Sequence, residues 1–189
     1  MDGAWVGVAD HGGWAILVTV GQRGAVLDRR RVELVEAGLP AMPHHHEAQS
    51  LPIERAVALV ERVAASAGRC AKEALDRLVS ELPARVEGVA LRARPALPDT
   101  IAERIRSYRA QCVADWVMYR EALAGAARAR SWSVRWYDAK TVSAEAAKTL
   151  GEEDIATLLE APREVLGPPW QKDHRVAMAA AIVASRSRA

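Results

Sequence analysis

The most restrictive feature of this sequence lies in its first 35 residues, where three apolar runs are separated by two glycine turns. Ala4 to Asp10 reads as a buried strand, and His11-Gly12-Gly13 is a turn of the kind that joins antiparallel strands. Trp14 to Val20 is a second β-branched run, and Gly21-Gln22-Arg23-Gly24 is another turn. Ala25 to Val35 makes a third strand, in which Val32 and Leu34 alternate with Arg31 and Glu33, so one face is expected to be wet. The chain therefore opens with a three-stranded meander. Its first strand is the most apolar, which places that strand in the middle of a sheet covered on both sides.

The remainder alternates between helix and strand. Residues 36–51 form a loop holding Gly38, Pro40, Pro43 and His44-His45-His46-Glu47. Residues 53–81 are helical by period, with Gly68 a candidate bend. Val86 to Leu91 is a fourth strand, ended by Pro95 and Pro98. Thr100 and Glu103 have the spacing of a capping box. Ile101, Ile105, Tyr108, Cys112, Trp116, Tyr119 and Leu123 then predict one long amphipathic helix to about residue 129. Ser133 to Tyr137 is a fifth strand, helical segments follow near 142–149 and 152–160, and Gly167-Pro168-Pro169 is a rigid break. An Ala-rich helix from about Gln171 to Ser185 closes the chain.

A chain of 189 residues is enough for one domain with a real core, expected to span 1–189. The net charge of +2 permits a nucleic-acid partner without demanding one. Cys70 and Cys112 form neither a disulfide framework nor a zinc motif. The start lacks a basic, apolar leader, and no apolar run reaches the length of a membrane span, which together point to a cytoplasmic protein without a membrane partner. Six Trp and no Phe suggest that Trp does the core work Phe does elsewhere.

The order β-β-β-α-β-α-β-α predicts an α/β fold: a five-stranded mixed sheet, an antiparallel three-strand meander plus two parallel strands, with helices on both faces. Val8-Ala9-Asp10 before a Gly-Gly hairpin resembles the place where the ribonuclease H-like superfamily carries its first metal-binding aspartate. Lys172-Asp173-His174-Arg175-Val176-Ala177-Met178-Ala179 resembles the C-terminal acidic helix of RuvC-type resolvases and terminase nucleases. Val134 to Lys140, followed by an Ala-rich helix, sits where RuvC-type proteins have their fifth strand. The resemblance covers nearly the whole chain in element order and short stretches in sequence.

It implies Mg²⁺ or Mn²⁺ held by hard oxygen ligands, activating water against a phosphodiester. Asp10 and Asp173 match the expected ligands, His174 takes the second helix position, and Asp138 and Glu47 are further candidates. The sequence departs from the family at strand four, which ends Leu91-Arg92-Ala93-Arg94 with no acid; Asp99 lies just beyond. It departs again one turn into the last helix, where Val176 stands. If Arg92 and Arg94 border the place of the missing carboxylate, they would bind phosphate directly rather than through a metal.

Arg29-Arg30-Arg31, Arg104, Arg106, Arg109, Arg120 and Lys172 are further candidates for phosphate contacts. The alternative is a solvated face paired with Asp28, Glu33, Glu103, Asp115 and Glu121. Trp170 could stack a base or plug the start of the last helix. His44, His45 and His46 lack helical zinc spacing, but one of them with Glu47 could reach the mouth of the site. Asp10 could instead bond the hairpin amides, and Asp173 could complement a helix dipole.

The resemblance implies a metal-dependent nuclease acting on structured or branched nucleic acid. A non-catalytic ribonuclease H-like module, binding nucleic acid or a protein partner, is the alternative that the missing acid favours. A nucleotide-binding domain of the actin-like branch ranks third, because the chain is too short for two lobes. The RuvC resemblance also implies a homodimer, with the apolar side of the 100–129 helix as its interface or as ordinary core.

Overall fold

The computed structural model describes residues 3–186. Its sheet has five strands in the order β3-β2-β1-β4-β5: β1 (Ala4–Asp10), β2 (Trp14–Val20), β3 (Val26–Glu33), β4 (Val86–Arg92) and β5 (Ser133–Tyr137). The first three pair antiparallel, and β4 and β5 run parallel to β1. β1 is central and buried throughout, as its unbroken apolar run predicts. The C-terminal ends of β1, β4 and β5 therefore share one edge of the sheet.

Helices cover both faces. α1 (Ile53–Glu81) and α3 (Tyr108–Arg128) pack on the face that carries Val6, Val8, Val89 and Leu91. α4 (Val142–Leu150), α5 (Ile155–Glu160) and α7 (Lys172–Arg186) cover the face of Trp5, Ala9, Ala90 and Tyr137. α2 (Ile101–Arg106) and α6 (Pro162–Leu166) are short connectors. The α7–β1 contact depends on Gly7: a Cβ there would lie 1.7 Å from the Ala177 carbonyl oxygen. Absence of a side chain lets an Ala-rich helix lie directly on the central strand.

Three sequence expectations change. The helix expected over 100–129 is broken at Ser107, whose extended backbone (φ −96°, ψ 111°) ends α2 and whose hydroxyl caps α3 by accepting from the Ala110 N–H. The break shifts the helical phase, so Tyr108 is 78 % exposed while Ala110, Ala114 and Val117 are buried. α1 runs unbroken through Gly68, which sits on its exposed side. The segment near 152–160 starts later, where the Asp154 carboxylate caps α5. The Thr100–Glu103 capping box is present. No helix among the described residues is long and apolar enough to cross a membrane.

Candidate functional site

Two clusters form at the C-terminal edge of the sheet, one on each face. Side chains alternate along a strand, so Asp10 follows Val6 and Val8 onto the α3 face, while His11 follows Trp5, Gly7 and Ala9 onto the α7 face. That one-residue difference decides which partners each group meets.

On the α3 face, Asp10 is 3 % exposed and its Oδ2 accepts from Arg120 Nε at 2.8 Å. The same guanidinium donates through Nη1 to the Ala93 carbonyl at 3.0 Å, tying the ends of β1 and β4 together. Asp10 Oδ1 is buried and meets no partner among the described residues. Arg120, expected among phosphate-binding or solvated cations, is 6 % exposed and engaged with Asp10.

On the α7 face, the imidazole of His11 lies 2.9 Å from Asp173 Oδ2 through its Nε2. Its ring stacks on Trp14 at 3.9 Å and 7°, and the Arg31 guanidinium lies 4.0 Å from the Trp14 ring centre. Arg92 replaces the expected strand-four acid on this face, next to Tyr137, whose hydroxyl donates to the Val8 carbonyl at 2.7 Å. Burial pushes the Tyr137 hydroxyl up to about 12, with the guanidiniums of Arg92 and Arg120 opposing and the Asp10 carboxylate assisting. Arg92 Nε is buried and unpartnered among the described residues.

The structure thus gathers Asp10, His11, Arg92, Arg120 and Asp173 at one edge, but pairs each acid with a base from this chain. His174 faces elsewhere. Its Nδ1 accepts from the Gln171 backbone N–H at 3.1 Å, in the manner of the third residue of a capping box. Burial depresses its imidazole below the usual range, aided by Arg29 and Arg175 and opposed by Asp173. Trp170 is 4 % exposed and donates from Nε1 to the Leu159 carbonyl at 2.7 Å, so it plugs the base of α7 and presents no ring for base stacking. Arg29 reaches the carbonyls of Leu166, Gly167, Pro168 and Pro169 and holds the chain before α7.

The histidine loop belongs to α3. Asp115, named in the alternative of a solvated, charge-paired face, is 1 % exposed. It accepts from the backbone N–H groups of His44 and His45 at 3.0 and 3.1 Å, and its Oδ1 lies 2.8 Å from His44 Nδ1. Tyr119, one turn on, donates to the Ala41 carbonyl at 2.8 Å. His44 is 1 % exposed, His45 is half-buried, and His46 and Glu47 are exposed. Asp138 is exposed and accepts from the Lys140 N–H. Arg94 pairs with Glu121 and lies over Trp136, and Arg104 donates to the Pro98 and Asp99 carbonyls. Arg109 and Lys172 are exposed.

The donor set does not fit a divalent metal. Asp10 already holds a guanidinium, Asp173 meets an imidazole on the other face, and the described residues contain no group of three His, Cys, Asp or Glu able to hold an ion. Hard cations want several oxygen ligands at once. His11, Asp115 and the Asp10–Arg120 pairing were missed in the sequence. His11 follows a strand-end aspartate directly, which is a usable signal; the others required the tertiary contacts.

No protein-family model and no curated protein matches the sequence. Among solved structures, the chain is similar to a Thermus thermophilus RuvC in complex with a Holliday junction substrate, at 15 % identity and TM-score 0.51, covering 95 % of this chain and 90 % of that one. A second Thermus thermophilus RuvC structure matches at 17 % identity and TM-score 0.50, covering 95 % and 91 %. The architecture is a ribonuclease H-like α/β fold of the kind seen in RuvC.

Proposed function

We propose that this chain is a ribonuclease H-like module that binds structured or branched nucleic acid through arginine at the C-terminal edge of its sheet, without metal-dependent cleavage. The carrying observation is the buried pair of Asp10 with Arg120. A guanidinium already neutralises the carboxylate that the nuclease reading assigns to a metal. Arg92, on the neighbouring strand end, supplies a cation where that reading needs an acid. Open α/β sheets offer ligand sites beyond the carboxyl ends of their strands, where strand order reverses. Here the order reverses between β1 and β4, since the chain passes from β1 to β2 on one side and from β4 to β5 on the other. The RuvC neighbour in complex with a Holliday junction substrate makes a four-way junction the first substrate to try.

The test is fluorescence anisotropy with a labelled four-way junction and a linear duplex of equal length, in EDTA across a salt series. Metal-independent binding with a steep salt slope, weakened by Arg92→Gln, supports the reading. Loss of junction binding in EDTA sinks it. The nuclease reading, with Mg²⁺ or Mn²⁺ at Asp10 and Asp173, retains one observation in its favour: the unpartnered Asp10 Oδ1. Junction cleavage in Mn²⁺ that Asp10→Asn abolishes would establish it instead.

A further inference from the structure

A cleft opens in the helical layer beside the end of β4. α1, α2, α3 and the chain after β4 enclose a cleft of about 740 Å³, within the size range of small-molecule sites. Its walls are mainly apolar, formed by Val60, Leu97, Ile101, Val117 and Met118 among others. Two guanidiniums border it: Arg94, paired with Glu121, and Arg104, anchored through Nε and Nη2 to the Pro98 and Asp99 carbonyls. His44 also lines this cleft. Its Nδ1 is turned to Asp115, which leaves Nε2 as the second polar atom of the ring. That Nε2 is buried and meets no partner among the described residues. A buried polar atom without a partner is costly and marks a place where a partner is missing.

We propose that this cleft binds a single nucleotide, with the base between the apolar walls, a polar atom of its edge hydrogen-bonded to His44 Nε2, and the phosphate at the guanidinium of Arg104. An apolar slot, one fixed hydrogen-bonding nitrogen and a cation at the rim together describe a flat ring with a polar edge joined to an anion. The nucleotide can be free or can be an unstacked residue of a bound strand, and in the second case the proposal rests on the nucleic-acid reading above.

The experiment uses the full chain and two probes: AMP by calorimetry, and a four-way junction carrying 2-aminopurine at its branch point, read by fluorescence. His44→Asn is the informative variant, because the Asn amide keeps the donor to Asp115 and removes Nε2. Ala64→Phe obstructs the cleft from a half-buried position on α1. AMP binding that inorganic phosphate does not reproduce, weakened roughly tenfold by His44→Asn and abolished by Ala64→Phe, establishes a site for the free nucleotide. A 2-aminopurine signal that both variants lose, without AMP binding, establishes capture of an unstacked residue. Insensitivity of both probes to both variants overturns the proposal. Overall junction affinity, followed by anisotropy, is set by the sheet-edge arginines and reports on that reading separately.

Discussion

Arg120 reaches from α3 to the last residue of β1 and closes a 2.8 Å ion pair on Asp10, with the two side chains 7 % and 1 % exposed. Its second bond, to the Ala93 carbonyl, makes this one residue the clasp between two parallel strand ends and the helix above them. A buried pair of this kind is retained at a desolvation cost, and removing one partner leaves the other charge without compensation.

Arg120→Met is therefore expected to destabilise the fold by about 3–5 kcal/mol. Asp10→Asn with Arg120→Met should recover much of that loss, because no lone charge remains. Urea denaturation of the two single variants and the double variant gives the coupling directly. Strictly additive losses would show that the pair does not act as a unit.

Asp115 organises the loop between β3 and α1 through the backbone of His44 and His45 and the ring of His44. Asp115→Ala removes three bonds to one carboxylate, and charge-assisted bonds are worth roughly 1.5–3 kcal/mol each before relaxation. The expected outcome is a loss of at least about 3 kcal/mol and fast amide exchange at His44 and His45. Unchanged protection of those two amides would mean that the loop is held by something else.

His174 gives a pH signature. Its neutral Nδ1 accepts from the Gln171 N–H, and burial holds its pKa below 6.5. The unfolded chain then binds the proton more readily than the folded one, so stability is full above pH 6.5 and falls as pH drops below it. His174→Gln keeps an acceptor at the same capping position and does not titrate. The wild-type minus variant difference in urea midpoint should decline from pH 7.5 to 5, and a flat difference would remove His174 as the cause.

Gly7→Ala places a methyl group against the Ala177 carbonyl, at a backbone-to-backbone contact with no flexible side chain to yield. Overpacking of a filled core costs about 1–3 kcal/mol and more where backbone must move. A thermal scan should show the upper end of that range. A variant as stable as the parent would show that α7 can lift from the sheet without cost.

The element order was legible in the sequence, because it follows from local periodicity and turn residues. β1, β2, β5 and α1 begin and end where Gly-Gly, Pro and the apolar repeats place them. Asp10 and Asp173 were likewise placed at one end of the sheet by element order alone. Their partners were not, since a strand's faces alternate with every residue. That alternation directs Asp10 toward α3 and gives Asp173 His11 as its neighbour. Helix α3 shows the same limit. The sequence could count its charges but not their facing, because α3 is buried on more than one side and carries Asp115 and Arg120 among its buried residues.

The sequence by itself thus determined the fold, through patterns that each element carries within itself. Only the tertiary structure decided that the acids are paired with Arg120 and His11, because such contacts join residues 110 and 162 positions apart in the chain and leave no local trace.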